Sequence, residues 1–360
     1  MIFKLLTFDQ ALKEARAYGK KHLLLGNGFS IACKPDIFAY GSLFEEAKKT
    51  MSAELAAIFA AMGTQDFEDV IRALQNAATI VSVYRPKLTV TKKVLLADAD
   101  KLKEGLIQAV AGRHPARPND IADDRYHACR TFLANFIGAG VDGKVYTMNY
   151  DLLLYWALMH EEEDPAIRIE LGHDDGFRKD DEDYDAPYVE WQGERAAHGQ
   201  CVHYLHGALH LFDAGHQLQK YTWINTGKAL VDQANEALKK NFFPLFVAEG
   251  DSKSKLTKIQ HSAYLHHSYK SFVNVCQTKA QQGTALFVFG HSFAKNDAHV
   301  LDMIGNGKVS HLFVSLFGDP SSKTNLAIRA NVEKIAALRS RGYTALKFDF
   351  FDAASAKVWG

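Results

Sequence analysis

Glycine-rich or polar segments directly follow apolar runs at several points of the chain. "LLLGNGFS" runs into a glycine loop, "KVYTMNYDLLL" interrupts an apolar stretch with Asn149 and Asp151, and "TALFVFGHS" ends in Gly290 and Ser292. In an open parallel sheet, ligands bind at the carboxyl ends of the strands. We therefore expect these segments to converge on one crevice, joined by His206 if "VHYLHG" ends a further strand.

The glycine loop, from Gly26 to Ser30, has the layout of a nucleotide-binding turn. Glycines permit a tight turn and let backbone N–H groups come close to a pyrophosphate. The loop is not the full G-x-G-x-x-G pattern, so an ordinary turn at the end of a strand remains the alternative.

Histidines and cysteines are the residues that could bind a metal, and their spacing argues against it. The segment "HYLHGALH" holds His203, His206 and His210, but His203 and His206 fall on opposite faces of a strand. Gly207 interrupts the regular geometry that His206 and His210 would need to share a face. The cysteines are widely separated and include no C-x-x-C pair, which argues against a zinc ribbon and fits reduced thiols: Cys33, Cys129, Cys201 and Cys276. We predict no metal site.

The composition excludes several classes of partner. The chain has 360 residues, with 42 Lys and Arg against 42 Asp and Glu, so no net field draws it to nucleic acid or to an anionic membrane. No apolar run approaches the roughly 20 residues that span a bilayer. The first residues lack the layout of a signal peptide. We expect a cytoplasmic protein with no direct nucleic-acid or membrane partner.

Strands that alternate with helices predict an α/β fold, a Rossmann-like parallel sheet with helices on both faces. Near the C-terminus, "HLFVSLFG" and "ALKFDFF" add two strands, and a closing helix follows. Amphipathic segments predict an inserted helical segment over residues 46–138, so residues 1–45 and 139–360 would form the core. Residues 161–200 are predicted as an acidic loop insertion. Its "DDEDYD" lacks the glycine-centred spacing of a calcium loop.

Four motifs, in this order, resemble those of the sirtuin-like superfamily. "GNGFS" is similar to its glycine-rich loop, "TMNYD" to its T-x-N-Y/I-D, "LHG" to its H-G and "FGHS" to its late G-x-S. The tyrosine of the second motif, and Asp297 in "FGHSFAKND", look more like bacterial sirtuin-like NAD hydrolases of antiviral defence than like lysine deacylases. The resemblance covers residues 20–44 and 143–360, but not the helical segment or the acidic insertion.

Two departures weaken the deacylase interpretation. Deacylases of the superfamily carry a four-cysteine zinc module, which the cysteines of this chain cannot supply. They also have a Phe–Arg pair after the glycine loop, where "KPDIFAYGS" offers Phe38 and Tyr40 but no arginine.

The resemblance implies that NAD is the substrate and that Asn149 and His206 act at the nicotinamide–ribose bond. A neutral amide can orient a ribose hydroxyl or a water, and a histidine can accept a proton near neutral pH. Asp151 would position the ribose or stabilise the developing cation, and it equally suits an N-cap for the next helix. The residues implied to bind the cofactor are Gly26, Asn27, Gly28, Phe29, Ser30, Phe38, Tyr40, Thr147, Gly207, Gly290, Ser292 and Asp297. The order of the strands adds Ser315, which would end the next strand beside the adenosine half.

The leading hypothesis is an NAD hydrolase that releases nicotinamide and ADP-ribose as an antiviral-defence effector. Such an enzyme has to be gated, by homo-oligomerisation or by a protein that senses infection. The helical segment is the candidate surface for that contact. Two alternatives stay open: an NAD-dependent deacylase or ADP-ribosyltransferase, and a sensor that binds NAD or ADP-ribose without turnover.

Overall fold

The structure is a computed structural model, and it describes residues 4–38, 43–49, 51–65, 67–111, 114–162, 164–179, 186–196, 199–215, 217–221, 227–247, 251–339 and 343–360. The strands within these ranges are β1 (Leu5–Leu6), β2 (Lys20–Leu25), β3 (Val145–Thr147), β4 (Phe177–Arg178), β5 (Tyr188–Trp191), β6 (Val202–Tyr204), β7 (Gly207–Asp213), β8 (Leu218–Tyr221), β9 (Phe243–Phe246), β10 (Thr284–Phe289), β11 (His311–Leu316) and β12 (Lys347–Asp352).

The helices of the same ranges are α1 (Phe8–Ala15), α2 (Gly28–Cys33), α3 (Pro35–Phe38), α4 (Leu43–Lys48), α5 (Ala53–Met62), α6 (Phe67–Tyr84), α7 (Thr89–Ala111), α8 (Asp123–Ile137), α9 (Leu153–Met159), α10 (Leu230–Lys239), α11 (Ser252–His261), α12 (Ala263–Gln277), α13 (Ala298–Asn306) and α14 (Lys323–Ala337). The predicted closing helix is wrong: after β12 the chain makes only a 3₁₀ turn, Ala354–Ala356.

The predicted parallel sheet is confirmed. Seven strands lie in the order β1-β12-β11-β10-β2-β3-β6, and every neighbouring pair is parallel. The central strands are buried on both faces, and their alternate side chains enter two separate hydrophobic clusters. Leu25 and Phe287 belong to one cluster, whereas Leu24 and Leu286 belong to the other. Burial on both faces explains why these strands are nearly unbroken apolar runs.

Helices cover both faces of this sheet. On one face, Phe132 and Phe136 of α8 pack against Phe289 and Phe287, with ring centroids 5.5 and 5.2 Å apart. On the other face, α12, α13 and α14 contribute buried apolar side chains such as Phe272 to the second cluster. Helix α8 falls within the predicted helical insertion, residues 46–138. By its packing it belongs to the sheet layer, so the insertion ends before α8.

A second sheet was not foreseen from the sequence. Its five antiparallel strands lie in the order β4-β5-β8-β7-β9. The first two strands come from the segment 161–200 that was predicted as an acidic loop, and residues 180–185 of that segment lie outside the described ranges. Among the helices that the structure describes, none is long and apolar enough to cross a membrane.

The carboxyl ends of β2 and β10 touch through their backbones. Gly26 donates its N–H to Phe289 O at 2.9 Å, and Gly28 donates to Gly290 O at 2.8 Å. A Cβ on Gly290 would lie 2.6 Å from Gly28 Cα, and φ at Gly290 is +71°. Glycine is therefore required here both for space and for the left-handed backbone.

We predict that Gly290→Ala destabilises the fold by about 3–5 kcal/mol, because a left-handed alanine is strained and its Cβ also overlaps the glycine loop. Gly318→Ala is the matched control: its φ is likewise +71°, but its Cβ would meet nothing within 4 Å. That variant should lose only about 1–2 kcal/mol. Urea denaturation measures the unfolding free energy of both variants. Equal losses would contradict the close contact between Gly290 and the glycine loop.

Candidate functional site

A cavity of about 1010 Å³ lies at the carboxyl ends of the parallel strands. Its wall combines residues from the ends of β2, β3, β10 and β11 with the turn after β6. Eleven of the residues singled out from the sequence line it: Gly26, Asn27, Gly28, Phe38, Asn149, Asp151, His206, Gly290, Ser292, Asp297 and Ser315.

Four other predicted residues do not line the cavity and instead support its wall. The Phe29 ring packs on Trp359, with centroids 5.2 Å apart, and Thr147 Oγ1 accepts the N–H of Asn149 at 3.0 Å. Ser30 is fully buried behind Asn149. Gly207 makes the left-handed turn into β7, where a Cβ would lie 2.0 Å from Leu245 O. Tyr40, the remaining predicted residue, lies outside the described ranges.

Four of the five N–H groups of the glycine loop, Gly26 to Ser30, donate within the protein. The N–H groups of Gly26 and Gly28 donate to Phe289 and Gly290, as above, and those of Phe29 and Ser30 donate to carbonyls within the loop. The sequence suggested that such groups would face a pyrophosphate. The loop can instead let a ligand approach the backbone closely, because no Cβ projects from Gly26 or Gly28.

Asn149 is held in one orientation by the groups behind it. Its Nδ2 donates to Gly26 O at 3.0 Å and to Ser30 Oγ at 2.9 Å. A carbonyl oxygen can only accept, so this contact fixes which end of the amide points at the loop. Both amide hydrogens are used, which leaves Oδ1 as the atom that can accept a hydrogen bond from a ligand.

Asp151 has partners for both carboxylate oxygens. Ser30 Oγ donates to Oδ2 at 2.5 Å, and the N–H of Leu153, the first residue of α9, donates to Oδ1 at 2.9 Å. Burial raises the pKa of Asp151 above its usual range, against the opposing effect of these hydrogen bonds. The side chain therefore accepts the first N–H of α9 and also fixes Ser30 beneath Asn149, but the N-cap position that was one alternative for Asp151 belongs to Leu152.

His206 meets a second histidine that the sequence did not single out. Its Nε2 lies 3.1 Å from Nε2 of His299, and both side chains are buried. Burial lowers the pKa of His206 to about 3 and that of His299 to about 4, although the negative charge of Asp297 opposes the shift in each. Both rings are therefore neutral at neutral pH.

Asp297 is the charged centre of the cavity wall. Its Oδ1 accepts from Lys255 Nζ at 2.8 Å, and its Oδ2 lies 3.2 Å from His291 Nε2. Since His291 Nδ1 accepts the N–H of Phe293, Nε2 carries the proton and donates to Asp297. Burial alone would raise the pKa of Asp297, but the hydrogen bond from His291 and the charges of His291, His206 and Lys255 lower it well below its usual range.

Two clusters of the described residues have ligand atoms close enough for a metal. In the cavity, the ligand atoms of His206, Asp297 and His299 lie within 4.8 Å of one another. Both oxygens of Asp297 are already engaged, one by the Lys255 ammonium, and a second cation beside that group is electrostatically disfavoured. The second cluster, away from the cavity lining, is Glu14, His311 and Asp349, and Lys347 pairs with both of its carboxylates.

The histidines of "HYLHGALH" do not share a ligand position. His203 Nε2 lies 3.0 Å from Ser271 Oγ, and the His210 ring stacks on Tyr155 with centroids 4.6 Å apart. Only His206 of the three lines the cavity.

Residues missed by the sequence analysis complete this site. His291 lies inside the "FGHS" motif, where only the glycine and the serine were considered, and His299 follows Asp297 by two positions. Lys255 comes from α11, 42 residues before its partner Asp297. No spacing rule relates these residues to His206, because helix packing brings them together.

The family model described as "Domain of unknown function (DUF4917)" matches residues 23–359. It spans the parallel sheet from β2 to β12, the helical segment and the second sheet. No curated protein matches the chain.

We predict that Asp151→Ala lowers the free energy of unfolding by about 1–3 kcal/mol, because Leu153 N–H and the Ser30 hydroxyl both lose a buried acceptor. Asp151→Asn keeps an oxygen for Leu153 and removes a buried charge, so it should stay within about 1 kcal/mol of the wild type. Urea denaturation at neutral pH compares the two. An asparagine variant as unstable as the alanine variant would show that the ionised carboxylate is needed.

We also predict that stability falls as pH drops from about 6.5 to 4. The folded-state pKa values of His206 and His299, about 3 and about 4, lie below the unfolded value near 6.5, so only the unfolded chain binds these protons in that window. Each histidine should contribute a slope of up to about 1.4 kcal/mol per pH unit.

Urea denaturation between pH 6.5 and 4.5 measures this slope. His206→Gln should reduce the slope by the contribution of about one proton. The double variant His206→Gln, His299→Gln should reduce it by the contribution of about two. An unchanged slope in both variants would contradict the burial of neutral histidines.

Proposed function

The chain belongs to the DUF4917 family, and we propose that it is an NAD hydrolase that cleaves the nicotinamide–ribose bond. The observation that carries the proposal is the meeting of Asn149 and His206 on one cavity with the glycine loop. These residues come from three separate strand ends, and the four motifs that resemble the sirtuin-like superfamily all contribute to the same wall. A volume of about 1010 Å³ is at the upper end of what small-molecule sites require, which suits an extended dinucleotide.

The diphosphate of NAD lies against the glycine loop in this proposal, where the missing side chains allow a close approach. The adenosine half extends towards the end of β11, past Ser315 and the exposed ring of Phe317. The nicotinamide riboside enters the part of the cavity between Asn149 and His206. Apolar side chains such as Met148, Leu209 and Phe289 line the cavity and limit water around the reacting bond.

The reaction needs little acid catalysis. The bond between the ribose carbon and the nicotinamide nitrogen breaks with its electron pair going to the nitrogen, so nicotinamide leaves neutral. The ribose carbon passes through an oxocarbenium-like state of the kind found in glycoside hydrolysis. Water adds to that carbon, and one proton is released for each NAD consumed.

Asn149 and His206 have separate roles in this reaction: one orients a group by hydrogen bonding and the other accepts a proton. Asn149 Oδ1 is free to accept a hydrogen bond from the attacking water or from a ribose hydroxyl, because its amide group is anchored by Gly26 and Ser30. His206 is neutral and so has a lone pair for the proton that the water loses; burial lowers its pKa and weakens it as a base, and the charge of Asp297 opposes that shift. Asp297 supplies a negative charge beside the imidazolium that then forms, and no metal is required.

The helical segment offers a surface for gating. At the end of α6 and the start of α7, large apolar side chains are exposed, among them Val83 at 74%, Tyr84 at 80% and Val90 at 73%. Exposed apolar clusters of this kind mark contact surfaces. We propose that a cytoplasmic partner or further copies of the chain bind this tip and control NAD hydrolysis during antiviral defence.

The purified protein incubated with NAD should release nicotinamide and ADP-ribose in equal amounts, followed by chromatography. His206→Ala and Asn149→Ala should each lower kcat by at least about 100-fold, because the first removes the base and the second the fixed acceptor. Two controls carry the same residue types away from the cavity lining: His261→Ala on α11 and Asn135→Ala on α8. Both should retain activity.

Thermal unfolding of each variant separates loss of chemistry from loss of fold. Near-normal turnover in the two site variants would contradict the proposal, as would a wild-type protein that neither consumes nor binds NAD. Tight binding of unchanged NAD by calorimetry would favour the sensor instead. Label from NAD appearing on protein would favour a transferase.

A further inference from the structure

A chain of three polar side chains leads from the cavity into the fold: His206, His299 and Ser252. His206 and His299 face each other through Nε2 atoms 3.1 Å apart, and their ring planes differ by 21°. Ser252 Oγ lies 3.1 Å from His299 Nδ1 and also accepts the backbone N–H of His299 at 2.7 Å. These contacts hold the His299 ring at both of its nitrogens.

Only one proton can lie between the two Nε2 atoms, so one ring donates and the other accepts. If His299 donates, the Ser252 hydroxyl has to donate to His299 Nδ1, and His206 then carries its own proton on Nδ1. If His206 donates, His299 Nδ1 donates to Ser252, and His206 Nδ1 keeps a free lone pair. The tautomers of the two histidines are therefore coupled.

The chemistry selects between these arrangements. His206 Nε2 is occupied by His299, so Nδ1 is the nitrogen through which His206 can take a proton from a bound water. A base needs a lone pair on that atom. We infer that His299, fixed by Ser252, is a positioning residue that holds His206 with its proton on Nε2 and its lone pair on Nδ1. This inference rests on the proposed function, and it assigns roles to two residues, neither of which the sequence analysis identified.

The surroundings of the pair support this assignment. The charged and titratable groups that act on His206 are Asp297, His299, Lys255 and His291. Burial keeps His299 neutral at neutral pH, which an acceptor at Nε2 requires. Asp297 favours positive charge on His206, so its carboxylate stabilises the imidazolium that forms when Nδ1 takes a proton. Tyr269 donates its hydroxyl to His299 O at 2.9 Å and anchors the start of α13.

A tautomer can be observed without any turnover. Long-range ¹H–¹⁵N NMR on protein labelled at histidine nitrogen separates protonated from unprotonated ring nitrogens, and the His206→Gln variant identifies the signals of His206 by their loss. The inference expects an unprotonated Nδ1 and a protonated Nε2 on His206. A wild-type His206 with its proton on Nδ1 would overturn it, whatever the result with NAD.

Substitutions then test the coupling. His299→Leu removes the acceptor at similar size, and Ser252→Ala removes the group that orients His299. In both variants the His206 signals should shift towards a mixture of tautomers. His299→Gln, whose amide oxygen can take the place of Nε2, should restore the wild-type pattern. An unchanged tautomer in His299→Leu would overturn the inference.

Kinetics give the functional consequence where NAD is hydrolysed. His299→Leu should lower kcat about 10- to 100-fold with KM within about threefold, and His299→Gln should recover most of the loss. Equal losses in the two variants with raised KM would show a merely structural role and overturn the inference. Activity lost to a chelator and restored by zinc would also overturn it, because His206, Asp297 and His299 would then be metal ligands. Failure of the wild type to hydrolyse NAD would refute the proposed function but leave the tautomer measurement decisive for the inference.

Discussion

The contact between the ends of β2 and β10 is the constraint on which the site depends. The two strands are neighbours in the centre of the sheet, and their chains leave it so close together that Gly28 and Gly290 meet through backbone atoms. Side chains are excluded from this crossing for steric reasons. The three glycines of this crossing, Gly26, Gly28 and Gly290, also line the cavity, and they project no side chains into it. The close backbone contact therefore both positions the glycine loop and keeps this part of the cavity open.

Polar groups around this crossing are satisfied mainly by one another. The Asn149 amide donates to Gly26 O and to Ser30 Oγ. Ser30 Oγ in turn donates to Asp151, which also accepts the first N–H of α9. Such a network is stiff because each lost partner would leave a buried polar atom without a hydrogen bond. It leaves few groups directed at a ligand, among them Asn149 Oδ1 and the His206 ring. The fixed orientation of these groups is therefore a by-product of giving each buried polar atom a partner.

Much of this architecture could be predicted from the sequence. Strands β2, β10 and β11 are buried on both faces, so they appear as unbroken apolar runs, and their polar ends follow directly. The second sheet escaped prediction because its strands are short, four of the five having two to four residues, and are stabilised by pairing between distant segments rather than by a local pattern. Asn149 and His206 stood out through their motifs. His299 and Lys255 did not, because their positions depend on how α11 and α13 pack, and no local spacing encodes that.

In the proposed function, the cavity holds the ribose of NAD between Asn149 and His206. A crystal structure of the protein with ADP-ribose tests this placement, because ADP-ribose no longer has the nicotinamide–ribose bond and stays intact at it. We expect the terminal ribose within hydrogen-bond distance of Asn149 Oδ1 and His206 Nδ1, with the diphosphate over Gly26 and Gly28. ADP-ribose bound elsewhere, or a cavity that stays empty at saturating ligand, would contradict it.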